Sequence, residues 1–224
     1  MIFILISKIK SRYKLQEDYI NTIIDYIKNY DYSTGKHIEK TAEYVILIAN
    51  ELKLEGFYNK QLTNEFIHNL VLAAPLHDIG KLYIPDSILK KTDKLTNDEF
   101  EEIKKHPIIG EHIIQEIINR IPEDSQFLDI LTMGKDVALY HHEKWNGKGY
   151  PYGKSKYDIP LSARIMAVAD VMDALVSERC YKESFSYDKA YSIIESESGT
   201  HFDPTIISAF CSDSVRKKIK VLKK

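Results

Sequence analysis

The sequence predicts an all-α fold, on three observations. Apolar residues recur at three- and four-residue intervals through most of the chain, strand-like alternation is rare, and one long stretch alone is too rich in glycine and proline to be helical. From about Leu15 to Tyr30, the residues Tyr19, Ile23, Tyr26, Ile27 and Tyr30 mark an amphipathic first helix. A second is expected after Thr34-Gly35, carrying Ala42, Val45, Ile46, Ala49 and Leu52 and stopping near Gly56. A third starts at Thr63 and runs through Phe66, Leu70 and Ala73 toward His77, with Pro75 kinking it or thinning its hydrogen bonds.

The middle of the chain is punctuated. Pro85-Asp86 opens a turn, and Thr96 with Glu99 fits a capping box for a short helix ending at His106, because Pro107 disfavours helical geometry in the residue before it. Helices are then expected from Pro107 to about Arg120 and from about Asp124 to His142. Between Glu143 and Pro160 lie Gly147, Gly149, Gly153 and Pro151, which exclude a helix. This loop directly follows two adjacent histidines, so it is expected to border a site. Leu161 to Glu178 reads as a buried helix whose apolar face is Ile165, Val168, Ala169, Met172 and Leu175. Two shorter helices follow, from about Tyr187 to Ser196 and after Pro204, a residue suited to a first helical position.

These elements fit one all-α domain over residues 31–211. Residues 1–30 read as an N-terminal helix or linker remnant, and 212–224 as a basic tail whose Lys217, Lys218, Lys220, Lys223 and Lys224 are solvated. The 224 residues are 44% hydrophobic and 29% charged, which is ordinary for a globular chain. A net charge of -2 gives no global basic field for DNA or a membrane surface. Cys180 and Cys211 form no spaced framework, which points to a reducing compartment. The apolar run Met1 to Ile6 is shorter than the about 7–15 residues of a signal peptide core and the about 20 of a membrane span. A cytoplasmic protein without membrane insertion is therefore expected.

The chemistry lies in five places: His37, His77-Asp78, His106, His141-His142 and Asp170. Imidazole and carboxylate hold zinc, iron or manganese, and these exceed what one ion needs. Consecutive helical side chains point about 100° apart, so adjacent ligands suit either a helix end or two neighbouring ions. Two ions about 3.5–4 Å apart can clamp the attacking and leaving oxygens of a phosphoryl transfer. Lys81 lies three residues after Asp78, where an ammonium could face a phosphate. Asp173 lies three residues after Asp170, where it could orient a ligand or a metal-bound water. His68, His112 and His201 are read as ordinary core or surface histidines.

The motifs resemble the HD-GYP subgroup of HD-domain phosphohydrolases. The match runs through His77-Asp78-Ile79-Gly80-Lys81, Ile84-Pro85-Asp86, His106-Pro107, and His141-His142-Glu143 to Gly149-Tyr150-Pro151. It continues with Arg164-Ile165, Ala169-Asp170-Val171-Met172-Asp173-Ala174-Leu175 and His201-Phe202-Asp203-Pro204. The resemblance implies an HD-type helical bundle whose long loop carries Gly-Tyr-Pro, two divalent ions (iron or manganese), and hydrolysis of cyclic di-GMP. By that likeness His37, His77, Asp78 and Asp170 hold one ion, and Asp78, His106, His141 and His142 the other. Lys81, Asp31, Arg179 and Lys182 are implied to meet the substrate, while Tyr150 shapes the pocket. The implied reaction opens the ring to linear pGpG, with GMP as a further product left open, by attack of a metal-bridging hydroxide. Lys81 neutralises developing charge, and Asp173 or a water protonates the leaving group.

One departure stands out. Some members carry a glutamate four residues before the first histidine, which helps build a third metal site; here the position is Ser33, which favours two ions. Two partner expectations are added. The first helix pairs with its copy in a homodimer or docks on its own domain, and the Gly-Tyr-Pro loop is a candidate docking element for a diguanylate cyclase or another signalling protein. Alternative functions are hydrolysis of another nucleotide such as cyclic GMP-AMP, or a module that senses cyclic di-GMP without turnover.

Overall fold

The computed structural model describes residues 18, 22, 32–125, 127–177 and 184–221, with the side chains of 32–36 left out. The expectations on Asp31, Arg179, Lys182 and the dimer face of the first helix lie outside the described residues, as does the side chain of Ser33. In chain order the helices are α1 (Tyr32–Leu54), α2 (Asn64–Ala73), α3 (Asp86–Leu89), α4 (Asn97–Ile103), α5 (His106–Ile118), α6 (Leu128–Tyr140), α7 (Leu161–Val176), α8 (Tyr187–Ser196), α9 (Pro204–Phe210) and α10 (Asp213–Val221). Short 3-10 turns occupy Ala74–Leu76, Ile79–Tyr83 and Lys156–Asp158. Among the described residues there is no strand, only a bridge between Ser198 and Phe202.

Local chemistry sets several boundaries. Thr63 caps α2 by accepting the N–H of Phe66 at 3.0 Å. Thr96 and Glu99 form the expected capping box, each side chain accepting the other's backbone N–H. Pro75 converts the end of α2 into a 3-10 turn. Three boundaries differ from expectation. α1 starts at Tyr32, ahead of Gly35, since a single glycine costs a helix only about 1 kcal/mol. α4 stops at Ile103, and His106 opens α5 with Pro107 behind it, where the missing N–H costs nothing. The basic tail is a helix over Asp213–Val221, because Val215 and Ile219 are one turn apart and both bury in the core while Lys217, Lys218 and Lys220 face water.

Two apolar clusters hold the fold. The larger joins Val45, Ile48 and Leu52 of α1 to Ile165, Val168 and Met172 of α7, with Phe210 of α9 and Ile219 of α10. The smaller joins Ile38, Ala73, Leu76, Ile79, Ile114, Leu131 and Ala138. Every residue from Leu161 to Ala169 is buried, Arg164 included. Its guanidinium pairs with Asp203, which also accepts from Tyr58 at 2.6 Å and caps α9. Its Nε donates to the carbonyl of Ile159 at 2.9 Å, tying the end of the long loop to α7.

The suspected ligands grow from the edges of these clusters. His37 precedes Ile38, His77-Asp78 lies between Leu76 and Ile79, and Asp170 follows Ala169. Gly80 makes one close approach possible: a Cβ there would lie 2.0 Å from the carbonyl oxygen of His106. The bare backbone lets the Asp78 segment press on the first turn of α5.

Candidate metal centre

The adjacent candidate ligands lie at the ends of helical segments. His77 ends one 3-10 turn and Asp78 starts the next, with Asp78 at φ -102°, ψ 7°, so the two side chains leave the backbone at a break. His141 and His142 follow the last residue of α6. His37 comes from α1, His106 from the first residue of α5, and Asp170 from the body of α7.

The imidazoles are oriented by what their Nδ1 atoms face. In His77, His106 and His141 these lie 2.8 Å from the carbonyl of Ala74, 2.7 Å from that of Ile103, and 3.0 Å from those of Val137 and Ala138. The Nδ1 of His37 lies 2.7 Å from Oδ2 of Asp173, which is only 1% exposed. A carbonyl or carboxylate oxygen accepts, so each of these Nδ1 atoms carries a proton, and in the neutral ring Nε2 presents a lone pair.

Those lone pairs converge. Nε2 of His37 lies 3.1 Å from Nε2 of His77, and Nε2 of His106 lies 3.3 Å from Nε2 of His141. Each couple therefore brings two imidazole nitrogens to a spacing that a shared cation suits. Asp78 stands between them, with Oδ2 3.3 Å from Nε2 of His77 and Oδ1 3.4 Å from Nε2 of His106. Oδ1 is buried without a hydrogen-bond partner, a costly state that a cation relieves. Two groups of donors thus form, His37 with His77 and Asp78, and His106 with His141 and His142. Asp170 joins the first through Oδ1, 3.4 Å from Nε2 of His37. The donor set fits divalent metal, with Asp78 offering one oxygen to each side.

The charges agree with this arrangement. Burial opposes ionisation of Asp78, yet Lys81 and the neighbouring imidazoles hold its carboxyl well below the usual range. Nζ of Lys81 sits 2.5 Å from Oδ2. Burial, assisted by neighbouring imidazoles, depresses His141 to about 3. Burial depresses His106 to about 4, with Asp78 opposing. Neutral imidazoles are the ligand form. Asp173 is further supplied by Ser177, whose Oγ donates to Oδ1 at 2.9 Å, and by Lys40, 4.0 Å from the same oxygen. The sequence reading missed both residues. Ser177 stands one helical turn after Asp173, and that spacing was the available signal.

The long loop returns to the centre through Tyr150. Its ring stacks on His142 with centroids 4.7 Å apart and planes at 28°. Its N–H donates to the carbonyl of His142 at 3.2 Å. A Cβ on Gly149 would lie 2.3 Å from the N of Lys144 and 2.5 Å from the carbonyl oxygen of His142, so this fold-back needs glycine. His201, read as an ordinary histidine, stacks on Phe202 and belongs to neither donor group.

A family model described as the HD domain matches residues 21–206. The chain belongs to the HD domain family. A cyclic di-GMP phosphodiesterase of Vibrio cholerae is 49% identical to this HD domain over 180 residues, covering 80% of this chain and 36% of the relative. A 3′3′-cGAMP-specific phosphodiesterase of the same organism is 37% identical over 174 residues, covering 78% and 30%. Among solved structures, an HDG"Y"P protein from Bdellovibrio bacteriovorus superposes with a TM-score of 0.61 at 19% identity, covering 95% of this chain and 62% of that one. The HD domain here therefore spans about a third of the length of these two curated relatives. No described helix is long and apolar enough to cross a membrane.

Proposed function

We propose that this HD domain is a metal-dependent phosphodiesterase of the HD-GYP type that hydrolyses cyclic di-GMP to linear pGpG. The observation that carries the reading is the pair of facing Nε2 couples with Asp78 between them. The similarity to a cyclic di-GMP phosphodiesterase supports the substrate. His37, His77, Asp78 and Asp170 would hold one ion and Asp78, His106, His141 and His142 the other. Imidazole and carboxylate donors without sulfur suit iron or manganese. Bound there, the two ions supply Lewis acidity to the phosphoryl oxygens and lower the pKa of water.

The chain's own residues do the rest. Hydrolysis forms a P–O bond from water and breaks the bond to the 3′ oxygen, which leaves as a hydroxyl with one of the water protons while the other goes to solvent. Lys81 supplies a fixed positive charge beside Asp78 for the developing phosphoryl charge. Asp173 is buried, and its two oxygens are engaged by His37 and Ser177, which supports positioning His37 rather than donating a proton. By resemblance, Asp31, Arg179 and Lys182 bind the dinucleotide. We place the reaction in the cytoplasm, a reading supported by the two cysteines with no spaced framework.

The test is anaerobic purification, measurement of iron and manganese per chain, and chromatography of cyclic di-GMP and 3′3′-cGAMP incubated with the loaded protein. About two ions per chain and linear pGpG are expected. Cleavage of 3′3′-cGAMP alone would move the substrate to the second relative's class, and full metal with no turnover of either would shift the reading to a different substrate or a sensor.

A further inference from the structure

We propose that Tyr150 is a positioning residue for His142, fixing the ring of that ligand by stacking, and that Lys104 of the α4 end steadies it. The inference rests on the reading of His142 as a metal ligand. Four of the five imidazoles at the centre are oriented through Nδ1, three by backbone carbonyls and one by Asp173. His142 is oriented by another means. The Tyr150 ring lies nearly parallel to it at stacking distance, and the Tyr150 N–H holds its carbonyl. Backbone and ring of one residue therefore grip backbone and ring of the other.

The grip is imposed from both sides of the sequence. Gly149 sits against the backbone of His142, Glu143 and Lys144, which leaves Tyr150 little freedom to move away. The ammonium of Lys104 lies over the Tyr150 ring at 5.7 Å and over the Phe100 ring at 5.0 Å, and pairs with Glu101 at 2.6 Å. A cation over an aromatic face is attracted by its quadrupole. The residue between Gly149 and Pro151 thus acts on the centre through a ligand, and its ring, not its hydroxyl, is what the contact uses.

Three variants and two readouts test this. In the metal-free protein, ring-proton NMR of His142 is expected to show a tyrosine ring-current shift that persists in Tyr150→Phe and disappears in Tyr150→Leu, which keeps an apolar side chain at the site. In metal titration, Tyr150→Leu is expected to bind the ion of the His106, His141 and His142 group about 10–100-fold more weakly, the range for removal of ligand-orienting partners. Tyr150→Phe is expected to bind as the wild type does, and Lys104→Met about two- to fivefold more weakly. Wild-type metal affinity in Tyr150→Leu with only a raised KM for cyclic di-GMP would overturn the proposal and make Tyr150 a substrate contact. An unchanged His142 signal in Tyr150→Leu would also overturn it. Should the wild type bind no ion at these histidines, the metal reading itself fails, while the NMR comparison still judges the stacking.

Discussion

The histidines of the centre are held in two ways. His77, His106 and His141 lean on carbonyls three or four residues back in their own turns. His37 leans on Asp173, 136 residues away, across the contact of α1 with α7. The first device is set by nearby backbone, for His106 by the last residue of α4, and cannot be removed by changing a side chain. The second depends on tertiary structure and on a buried carboxylate. The carbonyl-held imidazoles make a floor set by local backbone, and the imidazole from α1 is fixed only once the bundle has closed.

Asp78 is where the two sides meet, so its removal should have the largest effect. Asp78→Ala takes an oxygen from each donor group and removes the carboxylate that Lys81 pairs with. Both ions are expected to be lost and turnover to fall to background, as measured by metal analysis and product chromatography. An alanine variant that keeps one ion would show that the two groups fill independently.

The carbonyl-held floor should also be visible as a pH dependence in the metal-free protein. His106 is held down to about 4 and His141 to about 3, both first by burial. Above pH 6.5 each is neutral whether folded or unfolded. As the pH falls from there toward 4, the unfolded chain takes up protons that the folded site refuses, so stability is lost on acidification. His77 works against this, because Asp78 raises it despite its burial. A tenfold difference in proton affinity between folded and unfolded chain is worth about 1.4 kcal/mol, so these two imidazoles alone contribute a loss of roughly 3–4 kcal/mol between pH 7 and pH 5 in urea denaturation, and His142 and His201, both depressed by burial, add to it. Stability that is flat or rising over that interval would mean that water reaches these imidazoles.

The same division explains what the sequence disclosed. Local devices were readable: the Thr63 cap, the Thr96-Glu99 box, the Pro75 break and the span Tyr187–Ser196 all follow from neighbours in the chain. The helix-end position of the adjacent histidines was one of the two alternatives that their spacing left open. α10 was hidden because its two core residues are embedded among lysines, and burial there is decided by α1. Grouping the candidate ligands needed the family resemblance, since spacing alone points to more than one ion and not to which residues would share it. Lys104 over Tyr150 left no trace in the sequence at all, because that contact exists only after the loop has folded back.

Asp173→Ala should break the remote device and spare the local one. His37 would lose the acceptor that fixes its tautomer and ring, while the carbonyl-held imidazoles keep theirs. Affinity for the ion at His37 and His77 is expected to fall about 10–100-fold, with the ion at His106 and His141 unaffected. Equal weakening of both ions in a metal titration would show that the two sides are coupled more tightly than their hydrogen bonds imply.

The smallest effect is expected one step further out, at Ser177. Its hydroxyl donates to Oδ1 of Asp173, and Ser177→Ala would leave that buried oxygen facing only Lys40 at 4.0 Å. The lysine side chain is 38% exposed and long enough to close the gap, so the variant should lose about 0.5–1.5 kcal/mol of stability and little metal affinity. Lys40→Met alone should be similarly mild, because Ser177 remains. The double variant has no such reserve, and its loss should exceed the sum of the two, a coupling that a double-mutant cycle on the metal-free protein reads directly. Strict additivity would mean that Lys40 does not move to the carboxylate, and that Asp173 holds His37 with Ser177 as its one supporting donor.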